Sequence, residues 1–226
     1  MKAFDKLPEE FQNSEVKYYY DILKKKQASL ILKRALDILL AVVLIVFLIL
    51  PIAVIAVAVR CGSEGPVLFR QERVTRYGRR FKILKFRTMV VDAERLGSMV
   101  TTDSDSRVTK IGRTLRKFRL DELPQIFNVL GGSMTFVGTR PEVLKYVELY
   151  EDKYYATLLL PAGITSPASI MYKDEEKLLA SHEDADRVYM ELILPEKMKY
   201  NLAYTENFGI ISDLRIMFQT VKEVFS

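Results

Sequence analysis

Two adjacent carboxylates, Asp121 and Glu122, are the residues of this sequence best suited to chemistry on phosphate groups. Basic residues surround them in the chain: Arg113, Arg116, Lys117 and Arg119 on one side and Arg140 on the other. Neighbouring carboxylates can share a divalent cation, which can hold a diphosphate whose remaining charge is met by arginines. An aspartate can also attack phosphorus itself. The pattern predicts a site for phosphate chemistry.

The same dipeptide has a simpler explanation as the start of a helix. Pro124 fits the first turn of a helix, and an aspartate just before it can accept hydrogen bonds from the free amides. Such caps are frequent, so Asp121 and Glu122 alone would indicate a cap and nothing more. A helix N-terminus also favours negative charge. Both interpretations are therefore open.

A strongly basic segment precedes the two carboxylates. Its apolar, aromatic stretches VLFRQERV and FKILKFRTMVV are separated by Tyr77-Gly78, which predicts a short β-hairpin. Glu72 alone opposes the basic residues Arg70, Arg73, Arg76, Arg79, Arg80, Lys82, Lys85 and Arg87. This density favours contacts with phosphate groups or with a membrane surface. A merely solvated basic face is the alternative.

The composition limits the metal and the partner. The chain has one cysteine, Cys61, and one histidine, His182, which excludes an intramolecular disulfide and a Cys/His zinc site. A divalent ion would need carboxylate and phosphate ligands, which favours Mg²⁺ or Mn²⁺. The net charge of +5 suits anionic lipid, pyrophosphate or nucleic acid equally. Charge alone therefore does not identify the partner.

An almost unbroken apolar run from Ala35 to Val59 is long enough to cross a bilayer as a straight helix. Pro51 lies inside the run, where proline removes a backbone hydrogen bond and tends to kink a helix. Basic residues flank both ends, and the positive-inside bias places both ends in the cytoplasm. A re-entrant helix-break-helix over 33–60 satisfies both features. A one-pass anchor with a kink is the alternative.

The rest of the chain predicts a mostly helical α+β protein. Residues 1–32 mix tyrosines, lysines and apolar side chains, as in an amphipathic helix at the membrane interface, although a helix packed on the body fits too. Residues 61–226 form the expected catalytic domain.

Several further elements are expected within residues 61–226. We expect a short helix and a Thr/Asp/Ser-rich loop after Val91, helical stretches that meet near 119–124, and a strand in SMTFVG followed by a turn and an amphipathic helix. A loop is expected from Gly163. The last helix is expected to bury an apolar stripe of Leu214, Met217, Phe218, Val221 and Phe225.

Several long motifs, in order, resemble the bacterial sugar transferase family, the monotopic phosphoglycosyl transferases. They are KRALDILLA with Pro51, GSEGPVLFRQERV, GRRFKILKFRTM, DSRVTKIGRTLRKFRLDELPQIFNVLGGSMTFVGTRPE and PAGIT. The resemblance covers roughly 33–165 and continues more weakly through SDLRIMFQT. Their number and order make it highly specific.

The resemblance implies an enzyme of the bacterial inner membrane, monotopic, with its catalytic domain facing the cytoplasm. It implies transfer of a sugar 1-phosphate from a UDP-sugar to polyprenyl (undecaprenyl) phosphate with release of UMP, as the first membrane step of surface glycan assembly. Asp121 would form a covalent phosphosugar intermediate, and Asp121 and Glu122 would bind Mg²⁺ (or Mn²⁺). Substrate contacts are implied for Lys85, Arg87, Arg116, Arg140 and Pro141, and Asp213 matches an acidic position of the family. Contact with membrane lipids is implied, nucleic acid is not expected as a partner, and a homodimer is compatible with this scheme.

Two departures from the family pattern matter. Leu50 replaces the serine that usually precedes the helix-breaking proline, and Ser166 to Ile170 replace the usual residues after PAGIT, which implies a different loop and sugar. A competing hypothesis is a non-catalytic membrane-tethered module whose basic hairpin binds anions. It predicts salt-sensitive binding that is indifferent to loss of Asp121 or Mg²⁺.

Overall fold

The computed structural model describes residues 1–93, 105–180 and 184–225. The helices are α1 (Ser14–Lys25), α2 (Gln27–Gly62), α3 (Lys110–Lys117), α4 (Gln125–Leu130), α5 (Leu144–Val147), α6 (Pro167–Met171), α7 (Glu175–Ala180), α8 (Ala185–Val188), α9 (Leu194–Glu206) and α10 (Ile210–Phe225). Shorter 3-10 turns join them, and a π-helix (Tyr189–Ile193) leads into α9. The mostly helical α+β class is confirmed. The loop expected after Val91 lies largely outside the described residues.

The strands form two small sheets. β1 (Leu68–Val74) pairs antiparallel with β2 (Arg80–Phe86), and the turn between them contains Tyr77 and Gly78, both at positive φ. This confirms the predicted hairpin. β3 (Met134–Val137) pairs in parallel with β4 (Ala162–Thr165). The sequence prediction of a loop from Gly163 is therefore wrong, because pairing with β3 extends a segment that has no alternating pattern of its own.

Helix α2 is 36 residues long, about 54 Å at 1.5 Å per residue, and it is long and apolar enough to cross a membrane. One of its faces packs on the body along most of this length. The residues of that face are Ala41, Leu44, Ile45, Leu48, Ile52, Ile55, Ala56 and Val59. The opposite face is apolar and exposed, as at Phe47 (75%) and Leu50 (71%). Such a surface is characteristic of contact with lipid or protein.

The predicted break at Pro51 is absent, because α2 is a single helix that continues through this residue. Leu48 packs on a cluster with Val129 and Met134, whereas Ile52 packs on a second cluster with Phe86. Contacts on both sides of the proline hold the helix to the body, which offsets the lost backbone hydrogen bond. The helix also extends beyond the predicted bounds of 33 and 60 at both ends.

The largest core joins the N-terminal segment to the second half of the chain. Val16, Tyr20 and Leu23 of α1 are buried in it together with side chains of α9 and of the 3-10 helix Asp152–Leu159. The apolar side of α1 is therefore used for packing on the body. An interfacial position of its outer face stays a prediction.

Two further helical predictions are wrong. The amphipathic helix expected after Arg140 is the single turn α5, and the chain then enters a 3-10 helix with five buried residues, too many for one face of a surface helix. In α10, Leu214, Phe218 and Val221 are 56–74% exposed instead of buried. Met217 of the predicted stripe does pack partly against the core, and the Phe225 side chain lies outside the described residues. Asp213 and Ile216 face the protein instead. Helical spacing identified the stripe but could not tell which face packs.

A close crossing of two backbones fixes the parallel sheet. A side chain at Gly163 would clash with the backbone of Gly138, whose amide donates to the Thr165 carbonyl at 3.0 Å. We therefore expect Gly163→Ala to lower the free energy of unfolding by about 1–3 kcal/mol. Thermal unfolding in detergent measures this. Gly209→Ala is the matched control, because nothing lies within 4 Å of the added methyl there, and an equal effect of the two changes would contradict the explanation.

Candidate active site

The carboxylate pair, Asp121 and Glu122, lies in a 3-10 turn (Leu120–Glu122) between α3 and α4. The residue before the turn, Arg119, has φ 52°, a left-handed conformation that costs a non-glycine residue roughly 1–2 kcal/mol. This left-handed residue separates α3 from the turn that contains the two carboxylates. The predicted meeting of two helical stretches is confirmed.

Glu122 is held by two cations. Arg140 donates to both of its carboxylate oxygens, and the Lys85 ammonium lies 2.9 Å from Oε1. The Glu122 side chain is 12% exposed, so burial by itself would raise its pKa, but Arg140 and Lys85 together hold the pKa far below the usual range of a glutamate. Glu122 is therefore ionised at neutral pH and paired with both cations.

Asp121 has the opposite surroundings. In the described part of the chain, its own backbone amide donates to its carboxylate, but no other residue forms an ion pair or a hydrogen bond with it. Burial raises the pKa of Asp121, and the nearby charge of Lys85 opposes this shift only partly. A carboxylate that is desolvated and not hydrogen-bonded to partners retains its capacity to act on a substrate.

Asp121 of the carboxylate pair lines an open cavity of about 1520 Å³. Basic side chains of the hairpin, of α3 and of the turn before Asp121 form one side: Arg70, Arg73, Lys85, Arg87, Arg116, Lys117 and Arg119. The volume is ample for a nucleotide-sized ligand. The charge of this side suits a diphosphate.

The other predicted site residues have differing surroundings. Arg140 and Pro141 line the cavity, and the Pro141 carbonyl accepts a hydrogen bond from Arg73 at 3.2 Å. Arg116 lines it too and donates to the Thr88 hydroxyl at 2.9 Å. The tertiary structure thus brings these residues to one cavity from separate elements.

Arg87 has an additional structural contact. Its guanidinium donates to the Ser63 and Glu64 carbonyls, just beyond the end of α2. It therefore satisfies acceptors that a helix C-terminus leaves free. Arg87 lines the cavity, but the two guanidinium nitrogens that bind Ser63 and Glu64 already donate hydrogen bonds within the protein.

Asp213 does not line the cavity. It is 5% exposed, and its carboxylate accepts hydrogen bonds from Lys33 at 2.6 Å and from the Tyr204 hydroxyl at 2.8 Å. Burial raises the pKa of Asp213 despite Lys33. Because Lys33 belongs to α2, the pair connects α10 to the membrane-type helix.

Sequence reasoning missed one side of the cavity, here called the tyrosine wall and formed by Glu142, Tyr146, Tyr189 and Lys197. The Tyr189 hydroxyl donates to Glu142 at 2.5 Å and accepts from Lys197 at 3.1 Å. Glu142 is the last residue of the quoted TRPE motif, but no substrate contact was predicted for it. Tyr189 and Lys197 lie in no motif and reach the cavity only through folding.

The comparisons with known proteins agree with these observations. The family model described as "Bacterial sugar transferase" matches residues 28–226. The UDP-N-acetylgalactosamine-undecaprenyl-phosphate N-acetylgalactosaminephosphotransferase of Aeromonas hydrophila is 34% identical over 86% of this chain and 44% of its own length. The UDP-glucose:undecaprenyl-phosphate glucose-1-phosphate transferase of Escherichia coli (strain K12) is 35% identical over 86% of this chain and 40% of its own.

A shorter relative matches nearly end to end. The uncharacterized sugar transferase EpsL of Bacillus subtilis (strain 168) is 31% identical over 86% of this chain and 88% of its own length. By contrast, the chain spans less than half the length of the two relatives named for a specific sugar. The family match covers most of the chain, including α2, the hairpin and the carboxylate pair. This chain belongs to the bacterial sugar transferase family.

Proposed function

We propose that this protein transfers a sugar 1-phosphate from a UDP-sugar to undecaprenyl phosphate, releasing UMP, as the first membrane step in assembly of a surface glycan. The relatives' names describe this type of transfer. They also name different sugars, glucose and N-acetylgalactosamine, so they do not identify the sugar used here. They give no support to a non-catalytic anion-binding module.

The observation that carries the proposal is the unequal surroundings of the two adjacent carboxylates. Glu122 is neutralised by Lys85 and Arg140, whereas Asp121 lines the cavity and pairs with no cation among the residues that the structure describes. A nucleophile needs a free lone pair, and desolvation strengthens an anionic nucleophile. This asymmetry supports Asp121 as the attacking group and Glu122 as the group that holds Lys85 and Arg140 in place.

The reaction then has two balanced displacements. A carboxylate oxygen of Asp121 attacks the phosphorus that carries the sugar, the bond from that phosphorus to the UMP oxygen breaks, and UMP leaves. An oxygen of the lipid phosphate next attacks the same phosphorus, and the bond to Asp121 breaks. The carboxylate is regenerated, and undecaprenyl diphosphosugar is the product. Arg116 and Arg140, which line the cavity, would meet the charge on the phosphates.

We further propose that Mg²⁺ binds here together with the diphosphate and neutralises part of its charge. The described residues contain no cluster of three or more metal-ligating side chains. Asp121 is free to bind a cation, and Glu122 can contribute an oxygen if Arg140 shifts to the phosphates. One or two carboxylates plus phosphate oxygens and water are a usual set for Mg²⁺.

The product identifies the reaction. Purified protein in detergent, given Mg²⁺, undecaprenyl phosphate and a panel of UDP-sugars, is expected to release UMP from at least one of them. Chelation by EDTA is expected to stop the release, and added Mg²⁺ or Mn²⁺ to restore it. Release of UDP would overturn the proposal, because UDP is the product of ordinary glycosyl transfer.

We also propose that α2 enters the membrane from the cytoplasmic side without crossing it. Both of its ends are attached to the same body: Lys33 pairs with Asp213 near one end, and Arg87 binds the carbonyls after the other. The inner face of the helix between these ends also packs on protein. A helix that crosses the bilayer would have to be surrounded by lipid, or by protein that is itself within the membrane, over this length.

Cysteine labelling tests this topology. In a Cys61→Ser background, we expect Lys24→Cys and Ser63→Cys to react with an impermeant maleimide from the same side of the membrane. Glu148→Cys, an exposed position, marks the side on which the body lies. Labelling of positions 24 and 63 from opposite sides would show that α2 spans the bilayer.

A further inference from the structure

The cavity has two chemically different sides. The side formed by the hairpin and α3 is basic, and Asp121 lines the same cavity. The tyrosine wall adds two aromatic rings and the carboxylate of Glu142, with Glu175 and Asp186 beside it. Lys197, Lys145 and Arg73 balance the charges of these three carboxylates. Carboxylate oxygens accept hydrogen bonds from hydroxyl groups. The wall is therefore suited to a neutral, hydroxyl-rich part of a substrate.

Polar contacts link the carboxylate pair to this wall. Arg140 binds Glu122, and the charge of Glu175 also acts on Arg140 and helps to raise its pKa. Lys197 pairs with Glu175 at 2.8 Å and donates to the Tyr189 hydroxyl. The wall thus begins where the phosphate-binding residues end. In a UDP-sugar the sugar is attached to the phosphorus that Asp121 would attack, so it is the part of the donor bound next to the carboxylate pair and the residues linked to it.

The buried residues of the tyrosine wall are preorganised. Tyr189, Lys197 and Glu142 are only 4–8% exposed, and they hold one another through hydrogen bonds. Glu142 uses Oε1 for these contacts, which leaves Oε2 without a hydrogen bond among the described residues. Buried polar groups fixed in this way discriminate strongly between ligands that do and do not match them.

Tyr146, the less buried tyrosine of the wall, adds an aromatic surface. The Tyr146 ring lies 4.7 Å from that of Tyr189, between centroids, and its hydroxyl donates to Asp186 at 2.6 Å. Lys145 pairs with the same Asp186 at 2.8 Å. The segment around Asp186 is thereby fixed to the TRPE segment. An aromatic face beside fixed hydrogen-bonding groups matches a pyranose ring, which has both C–H and hydroxyl surfaces.

We propose that the tyrosine wall is the sugar-recognition site of the donor, in which Tyr189, Glu142 and Tyr146 determine which sugar is accepted. The inference rests on the proposed use of a UDP-sugar. The phosphates lie on the basic side and the hexose against the wall. Two of the four wall residues, Tyr189 and Lys197, follow the PAGIT motif, in the part of the chain after the loop where the sequence departs from the family pattern.

Tyr189→Phe is the most direct test. It removes one hydroxyl and leaves Glu142 and Lys197 able to pair directly, since they are already 3.7 Å apart. Affinities are measured in detergent for the full chain carrying Asp121→Asn, which is expected to form no adduct, with UDP and with UDP-glucose, UDP-galactose and their N-acetylamino counterparts. We expect the preference for the best sugar over its epimer to fall about three- to tenfold, with UDP affinity unchanged.

Two further variants keep the test decisive. Tyr146→Phe changes the exposed edge of the wall and is expected to reduce the same sugar preference. It serves as the test if Tyr189→Phe does not fold. Tyr155→Phe is the matched control, because its hydroxyl donates to the Val147 carbonyl and the residue does not line the cavity. An unchanged preference in both cavity variants would overturn the proposal. An equal loss of UDP affinity would instead assign the wall to the nucleoside and also overturn it.

UMP release separates this proposal from the function on which it rests. Sugar-dependent binding that weakens in Tyr189→Phe, without UMP release by the wild type, would support the wall and refute phosphosugar transfer. UMP release by the wild type, with a sugar preference that neither cavity variant changes, would support phosphosugar transfer and refute the role of the wall. Absence of binding by every UDP-sugar would count against both.

Discussion

Asp121→Asn is expected to reduce UMP release on the order of 10³-fold or more while leaving the protein folded. The change removes the attacking oxygen's charge and little volume. Because burial raises the pKa of Asp121, the ionised carboxylate is less stable in the folded protein than in the unfolded chain. The asparagine variant should therefore unfold at a temperature no lower than the wild type near pH 7. A UMP assay and thermal unfolding in the same detergent measure the two effects.

The covalent step gives a second readout of the same residue. Wild-type protein incubated with a UDP-sugar and no lipid acceptor should gain the mass of one sugar phosphate, located on the peptide that contains Asp121. The asparagine variant should gain nothing. The acid limb of the pH–rate profile should lie above the ordinary aspartate pKa of 3.8, because the raised pKa delays ionisation as pH increases. Adduct formation in Asp121→Asn would refute the assignment.

Glu122→Gln is expected to have the largest effect on stability. The change removes the charge that Lys85 and Arg140 share and leaves two cations close together in a largely buried site. Removing one partner of a fully buried ion pair costs about 3–5 kcal/mol, and because the Lys85 and Arg140 side chains are 23% and 31% exposed we expect the lower end of this range, about 3 kcal/mol. Thermal or denaturant unfolding should show this loss, together with reduced UMP release because Arg140 is no longer held in place. Glu148→Gln, at an exposed glutamate, is the matched control.

The pH dependence separates this effect from a general packing defect. The pKa of Glu122 is lowered in the folded protein, so its stabilising contribution is complete above the unfolded value of about 4.5 and is lost as pH falls below it. The stability difference between wild type and Glu122→Gln should be full at pH 7 and shrink below about pH 4.5. A difference that stays constant with pH would contradict the ion-pair explanation.

Together, the two variants test whether Asp121 and Glu122 have different roles. Asp121→Asn should abolish chemistry without loss of stability, and Glu122→Gln should reduce both. Active sites commonly keep a destabilised group for function, and Asp121 has the desolvated surroundings of such a group. If both variants lost activity and stability equally, the two carboxylates would have equivalent structural roles.

Local sequence features predicted several elements well. The apolar run of α2, the hairpin around Tyr77-Gly78 and the helix start at Pro124 each depend on residues close in the chain. Composition, periodicity and turn chemistry are sufficient for such features. The position of the carboxylate pair among arginines was visible for the same reason.

Other features depended on packing. The periodic stripe of α10 predicted a buried face, but Phe218 is 74% exposed because Asp213 and Ile216 turn inward. Pro51 predicted a break, but contacts of α2 with two clusters keep the helix continuous. Spacing within a helix defines its faces, whereas the partner of each face lies elsewhere in the chain.

The sequence by itself determined that this protein has a long apolar helix and two adjacent carboxylates in basic surroundings, because these are properties of neighbouring residues. Only the tertiary structure decided which carboxylate is free. Lys85 lies 37 residues before Glu122 and Arg140 lies 18 after it, and both converge on it. The tyrosine wall likewise forms only when distant segments meet. Ion pairing and desolvation depend on distances in space, which the order of residues does not give.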